Sequence, residues 1–168
     1  MSNLFFLIGD DESLEHELYN RGNKVVNLYI DTDKTYSENM MKMETKVREN
    51  MTKGYTIGII GIGLGGFYAS RLAERIVCKS VLVDSVVDAY REIEWEDDRV
   101  AESYYPALVT TVTFKPLLLQ SYKNGSVERF YATEAIYYEE PLSDYASIII
   151  NHIETKFTFN ELLNNILV

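Results

Sequence analysis

An α/β fold is predicted for this 168-residue chain, with a mostly parallel sheet sandwiched between two layers of helices in a three-layer α/β/α arrangement. Three observations predict it. Short apolar runs that end in glycine or aspartate recur along the chain, and segments of helical period alternate with them. In addition, residues 55–84, YTIGIIGIGLGGFYASRLAERIVCKSVLVD, read without a break as strand, glycine-dense turn, helix and strand. Alternation of this kind requires right-handed crossovers, which place the helices on the two faces of the sheet.

Leu4, Phe5, Phe6, Leu7 and Ile8 form a continuous apolar run closed by Gly9, the pattern of a strand buried on both faces. A helix follows to Asn20, with Leu14 and Leu18 on one side and Gly22-Asn23 as its stop. Residues 24–30 are the second strand. Thr35 with Glu38 makes a capping box, after which Tyr36, Met40, Met43, Val47 and Met51 keep helical spacing, a stripe read as core packing. Residues 55–84 come next. Residues 92–112, rich in carboxylates around Trp95, lack steady periodicity and are expected to be a loop or short helices over the sheet, a possible lid or insertion. Beyond them the pattern predicts a strand over 113–120, a helix over 126–138, a β-branched strand over 146–150 and a terminal helix over 159–167.

The length suits one domain that buries its own core. Cys78 is the only cysteine, so no intrachain disulfide forms and a reducing compartment is expected. A net charge of −10 disfavours nucleic-acid binding, which draws on basic side chains to displace counterions. No apolar run has the roughly 20 residues needed to span a bilayer, and the short run at 4–8 meets Asp10, Asp11 and Glu12 directly, unlike a secretory signal. A cytoplasmic location, without membrane partners, is the expectation. No metal site is expected either, because His and Cys do not cluster.

In a parallel sheet the functional crevice lies at the carboxyl ends of the strands. Here those ends are Gly9, Asp31, residues 61–66, Asp84, residues 121–125 and residues 151–155. Two readings of the turn Gly61-Ile62-Gly63-Leu64-Gly65-Gly66 arise. Gly61, Gly63 and Gly66 satisfy G-x-G-x-x-G after a strand, with Asp84 placed to bind a ribose, as in an NAD or FAD site. Yet two strand-helix units precede the turn, whereas such a fingerprint ordinarily opens its domain. The second reading is a nucleophile elbow, G-x-S-x-G, with every small residue present and glycine at the serine position.

The neighbours of the turn support the elbow. Ile57-Gly58-Ile59-Ile60-Gly61 followed by Leu64-Gly65-Gly66-Phe67-Tyr68-Ala69 resembles the "GxSLGGYYA" elbow of the YqiA/YcfP-type small bacterial esterases, members of the α/β-hydrolase superfamily. Residues 4–9 resemble that family's first strand with its "LHGF" end, and Leu117-Leu118-Leu119-Gln120 resembles its "LLLQTGDEV" strand. The resemblance implies a small α/β-hydrolase-like fold without a cofactor. It also implies a degenerate site. The serine position is Gly63, the histidine of the "HG" pair is Ile8, and no carboxylate follows Gln120. Asn151-His152 resembles the family's "NH", whereas Thr155-Lys156-Phe157 resembles its "H-x-F", so His152 and Thr155 compete for the catalytic histidine position. His16 and Ser70 are expected to be structural, and Cys78 a buried thiol.

Gly9, Asp10, Gly63 and Leu64 remain as an oxyanion-like pocket. The expectation is therefore an esterase-like scaffold that has lost catalysis and binds a protein partner or a small anionic or ester-like ligand. The tyrosines, including Tyr104-Tyr105 and Tyr137-Tyr138, are candidate interface residues.

Overall fold

The computed structural model describes residues 2–51 and 53–167. Six parallel strands, β1 (Asn3–Ile8), β2 (Lys24–Leu28), β3 (Thr56–Ile62), β4 (Lys79–Val83), β5 (Leu117–Gln120) and β6 (Ile136–Tyr137), form one sheet in the order β2-β1-β3-β4-β5-β6. The helices are α1 (Glu12–Asn20), α2 (Tyr36–Asn50), α3 (Leu64–Ile76), α4 (Ala89–Glu92), α5 (Asp98–Glu102), α6 (Tyr105–Leu108), α7 (Gly125–Tyr131), α8 (Ala146–Glu154) and α9 (Phe159–Leu167).

Alternate strand residues face opposite layers, as the two-residue period of a strand requires. Phe6, Ile8, Ile59, Leu82 and Leu118 meet Met40, Met43 and Val47 of α2, Phe67 and Leu72 of α3, and Val127 of α7. Phe5, Leu7, Ile60, Val81 and Leu119 meet Leu14 and Leu18 of α1 and Ile149 and Ile153 of α8. The inner strands β1, β3, β4 and β5 are buried on both faces, the edge strands β2 and β6 less so, and the α/β/α sandwich is realised. The capping box of α2 forms as expected, with Thr35 and Glu38 each accepting from the other's backbone amide.

Two sequence expectations are corrected. The helix expected over 126–138 stops at Tyr131, because Ala132 turns left-handed at φ 50° and the chain then re-enters the sheet as β6. Glu128 stabilises that reversal by accepting from the Ala135 amide and the Tyr137 hydroxyl. The strand expected over 146–150 is instead the first part of α8. Ile148, Ile149 and Ile150 favour a strand locally, but Ala146, Ile149 and Ile153 fall on one helical face and are the residues buried. In a short apolar run, burial against the sheet overrides intrinsic preference.

Residues 92–112 hold α5 and α6, and with α4 these short helices pack on the α3 layer. Trp95 stacks on Tyr104 at a centroid distance of 4.6 Å, and Tyr104 shares a 2.6 Å hydroxyl contact with Tyr68. Tyr104 and Tyr138 are buried, so among the four tyrosines named as interface candidates only Tyr105 and Tyr137 reach the surface. Among the described residues no helix is long and apolar enough to cross a membrane.

Candidate active-site corner

The chain reverses its direction of travel across the sheet between β1 and β3, and the loops leaving these two strands adjoin. The closeness is tight. A Cβ on Gly9, which has φ +122°, would stand 2.9 Å from Ile62 Cβ. Gly9, at the end of β1, is thereby set against Ile62, the residue before Gly63 and Leu64.

Gly63 forms the corner between β3 and α3 with φ 60° and ψ −121°, a conformation strongly disfavoured for residues with a side chain. It is locked by its backbone: its amide donates to Val83 O at 2.9 Å, and its carbonyl accepts from the amides of Gly66 and Val86, each at 3.0 Å. A Cβ at Gly63 would meet nothing within 4 Å. The corner is open on the side where an elbow residue would project. The first amides of α3, at Leu64 and Gly65, have no acceptor in the preceding turn of helix, and no side chain caps them.

The neighbouring glycines have packing roles. A Cβ on Gly61 would lie 2.1 Å from Gly65 O, one on Gly65 2.1 Å from Ile8 O, and one on Gly66 2.3 Å from Ser85 Oγ. These positions let α3 sit directly on β1, β3 and the end of β4. Steric closeness at Gly61, Gly65 and Gly66, together with the positive φ of Gly63, accounts for the glycine string that also satisfies the dinucleotide pattern.

Asp84 follows β4 in the left-handed region at φ 45°. Its carboxylate accepts from the Ser121 amide at 2.8 Å, the Ser121 hydroxyl at 2.9 Å and the Tyr138 hydroxyl at 2.8 Å. Burial, reinforced by this carboxylate, pushes the Tyr138 phenol above its ordinary range. The acid thus joins the ends of β4, β5 and β6. The sequence points to Tyr138 only as an interface candidate at the end of a helix; reading Ile136-Tyr137 as a β-prone pair places it at a strand end beside Asp84.

His152 and Thr155 stand elsewhere, and their proposed equivalence to a catalytic histidine is corrected. His152 lies on α8 with Nε2 3.0 Å from Ser80 O, near the start of β4, and Ile153 covers Gly58 near the start of β3. Ser80 is level with Ile59 in the sheet. That is four residues before Gly63, or about 13 Å along a strand. Thr155 ends α8 and lines a cavity of about 690 Å³ at the same amino edge, together with Cys78, Lys79 and Phe157. Burial lowers the His152 pKa to about 4, with the Lys79 charge contributing. Residues 151–155 leave the crevice for a simple reason: they belong to a helix that runs back to the amino edge, not to a strand. His16 is exposed on α1.

Ser70 is buried and bonded to Tyr131 Oη at 3.0 Å, and Cys78 is buried with its thiol pKa raised by desolvation. Both behave as the sequence suggested. Among the described residues no group of three or more His, Cys, Asp or Glu side chains is arranged to hold a metal ion.

Solved structures share this architecture. Est1E from Butyrivibrio proteoclasticus is similar over 99% of this chain and 89% of its own, with a TM-score of 0.65 and 11% identity. A structure from work on LipS and LipT, two metagenome-derived lipolytic enzymes, aligns over 99% and 94% of the two chains with a TM-score of 0.57 and 11% identity. An alpha/beta hydrolase superfamily protein from Enterococcus faecalis aligns over 89% and 87%, with a TM-score of 0.54 and 11% identity. At such identities the likeness establishes the fold. No curated protein matches the sequence significantly. Residues 12–124, which run from α1 through the glycine corner to the loop after β5, match the family described as "Uncharacterised protein family (UPF0227)". The chain therefore belongs to the UPF0227 family and has the fold of the α/β hydrolases.

Proposed function

We propose that this protein is an esterase-like α/β-hydrolase scaffold that has lost covalent catalysis and acts as a binding or regulatory module. The observation that carries the reading is Gly63, an elbow residue in the strained backbone geometry with open space where a nucleophile would project. Acyl transfer at such a corner requires an oxygen or sulfur nucleophile and a base beside it. Gly63 supplies neither. Both histidines of the chain lie away from the corner, one exposed on α1 and one bonded to Ser80 O at the other edge.

What persists is the half of the machinery made by backbone. The first-turn amides of α3 point their donors outward at the positive end of a 13-residue helix, beside Gly9. Asp10 and Asp84 stand on the same edge, so a neutral ester or amide carbonyl, on a small molecule or a protein partner, suits the corner better than a full anion. The dinucleotide reading has less support, since Asp84 already holds three donors and Gly61, Gly65 and Gly66 are needed for packing.

The test is twofold. Purified protein should not turn over short-chain aryl esters and should take no label from a fluorophosphonate, while a thermal-shift screen of esters and amides should find stabilising ligands whose effect disappears in Gly9→Val. Ester hydrolysis that survives in His152→Ala and His16→Ala but disappears on altering the corner would overturn the loss of catalysis. Saturable NAD or FAD binding abolished by Asp84→Ala would instead support the dinucleotide reading.

A further inference from the structure

Lys79, the first residue of β4, is buried with only 9% of its surface exposed, yet among the described residues its ammonium has no hydrogen bond and no ion pair. Nζ stands over the Phe157 ring, 4.9 Å from the centroid. Attraction to a ring offsets part of the cost of taking an ammonium out of water, and an acceptor of opposite charge offsets more. Among the described residues the side-chain atoms sealed from water without a partner are Arg71 Nη2 and Gln120 Oε1. Lys79 Nζ is not one of them and so keeps contact with solvent. The opening it faces is the cavity of about 690 Å³ that Lys79 and Phe157 both line.

This cavity lies at the amino edge of the sheet. Lys79 is level with Gly58, five residues before Gly63, so about 16 Å of strand separates it from the glycine corner. Ile57, Ile76, Val77, Ile153 and Leu162 make the wall largely aliphatic. The two aromatic rings in the wall already have partners: Phe157 stacks with Phe114 at 4.3 Å and carries the Lys79 ammonium, and Tyr55 lies under the Lys24 ammonium at 5.1 Å. Two further charged residues line the cavity, and both are exposed. Glu154 accepts from Asn3 Nδ2 at 3.1 Å, and Lys156 stands at the rim. The inner charge is therefore the unpaired Lys79, and the lining as a whole carries a positive excess.

We propose that this cavity binds a monocarboxylate with an aliphatic body, of the size of a medium-chain fatty acid, its carboxylate on Lys79 Nζ and its chain along Ile57, Ile76, Ile153 and Leu162. A carboxylate supplies the acceptor oxygens and the single negative charge that the ammonium lacks. A phosphate would bring a second charge toward Glu154. An alkyl chain matches the aliphatic wall, and the volume falls in the range of small-ligand sites, which combine apolar walls with a few polar groups. The site is separate from the glycine corner, and the inference does not rest on what happens there.

The full chain is titrated by calorimetry with octanoate, octan-1-ol, acetate and octyl phosphate, each below the concentration at which it forms micelles. Octanoate is expected to bind saturably and about tenfold more tightly than octan-1-ol, the difference a charge-assisted contact makes. Acetate, which has no chain, should bind at least about tenfold more weakly than octanoate. Lys79→Met keeps the length and packing of the side chain, and thermal unfolding checks that it folds. That variant should lower octanoate affinity about tenfold and leave octan-1-ol affinity unchanged, a pattern that misfolding does not imitate. Leu162→Glu should weaken both chain ligands several-fold, and His16→Gln is the control. Absence of saturable octanoate binding, equal affinity for octanoate and octan-1-ol, octanoate affinity unchanged in Lys79→Met, or tighter binding of octyl phosphate than of octanoate would each overturn the proposal.

Discussion

The Tyr138 hydroxyl donates to Asp84 Oδ2 over 2.8 Å and so ties the residue after β6 to the residue after β4, across β5. Ser121 supplies two further donors to the same carboxylate. Tyr138→Phe should cost about 1.5–3 kcal/mol, the usual range for a hydrogen bond to a charged group. Asp84→Ala should cost more, because it removes all three bonds and leaves alanine at φ 45°. Urea denaturation of both variants and the double variant measures this, and the double should fall short of the sum, since the residues share one bond.

Gly63→Ser restores the side chain that the elbow geometry is built to project. There is room for it, but φ 60° with ψ −121° should lower stability by about 1–3 kcal/mol. Fluorophosphonate labelling should stay absent, because no histidine is available at the corner to take the proton. Rapid labelling of this variant would reveal a base there.

His152 makes stability depend on pH. Its pKa is near 4 folded against 6.5 in its ordinary state, so between these values the unfolded chain binds a proton that the folded chain does not. The contribution is fully present above pH 6.5 and is lost as the pH falls toward about 4. The loss should be about 2 kcal/mol, somewhat below the full linkage value because the ring is partly exposed. Comparing chemical denaturation of the wild type with His152→Gln across this window isolates the effect from the carboxylates. Equal pH slopes would remove it.

The glycines of the corner should divide by what their missing Cβ would strike. Gly65→Ala drives a methyl into Ile8 O and should prevent folding or cost more than about 3 kcal/mol. Gly66→Ala strikes mainly the Ser85 side chain, so Gly66→Ala with Ser85→Gly should recover part of the loss. Thermal unfolding of the three variants tests the order.

Much of the fold was legible because two periods were clean. Residues 4–8 and the stripe from Tyr36 to Met51 have one consistent reading each, and the structure follows both except at Met51, which ends α2 and is exposed. Ile148, Ile149 and Ile150 misled because a short β-branched run is the same string whether it pairs as a strand or buries one helical face. The glycine corner was legible as geometry, since Gly63 has to be tolerant of positive φ. The partners of Asp84 were not, because Ser121 and Tyr138 reach it over sequence separations of 37 and 54 residues, which no local pattern encodes.

Trp95 is the only tryptophan in the chain, and it lies against Tyr104 with its indole nitrogen donating to Ala89 O at 2.9 Å. Intrinsic fluorescence excited at the indole therefore reports on the segment from α4 to α6 alone. If that segment opens as a lid, emission will change while far-ultraviolet circular dichroism holds steady; if it is welded to the core, the two signals will melt together. The molecule carries its own optical gauge for that movement, with no dye or engineered probe required.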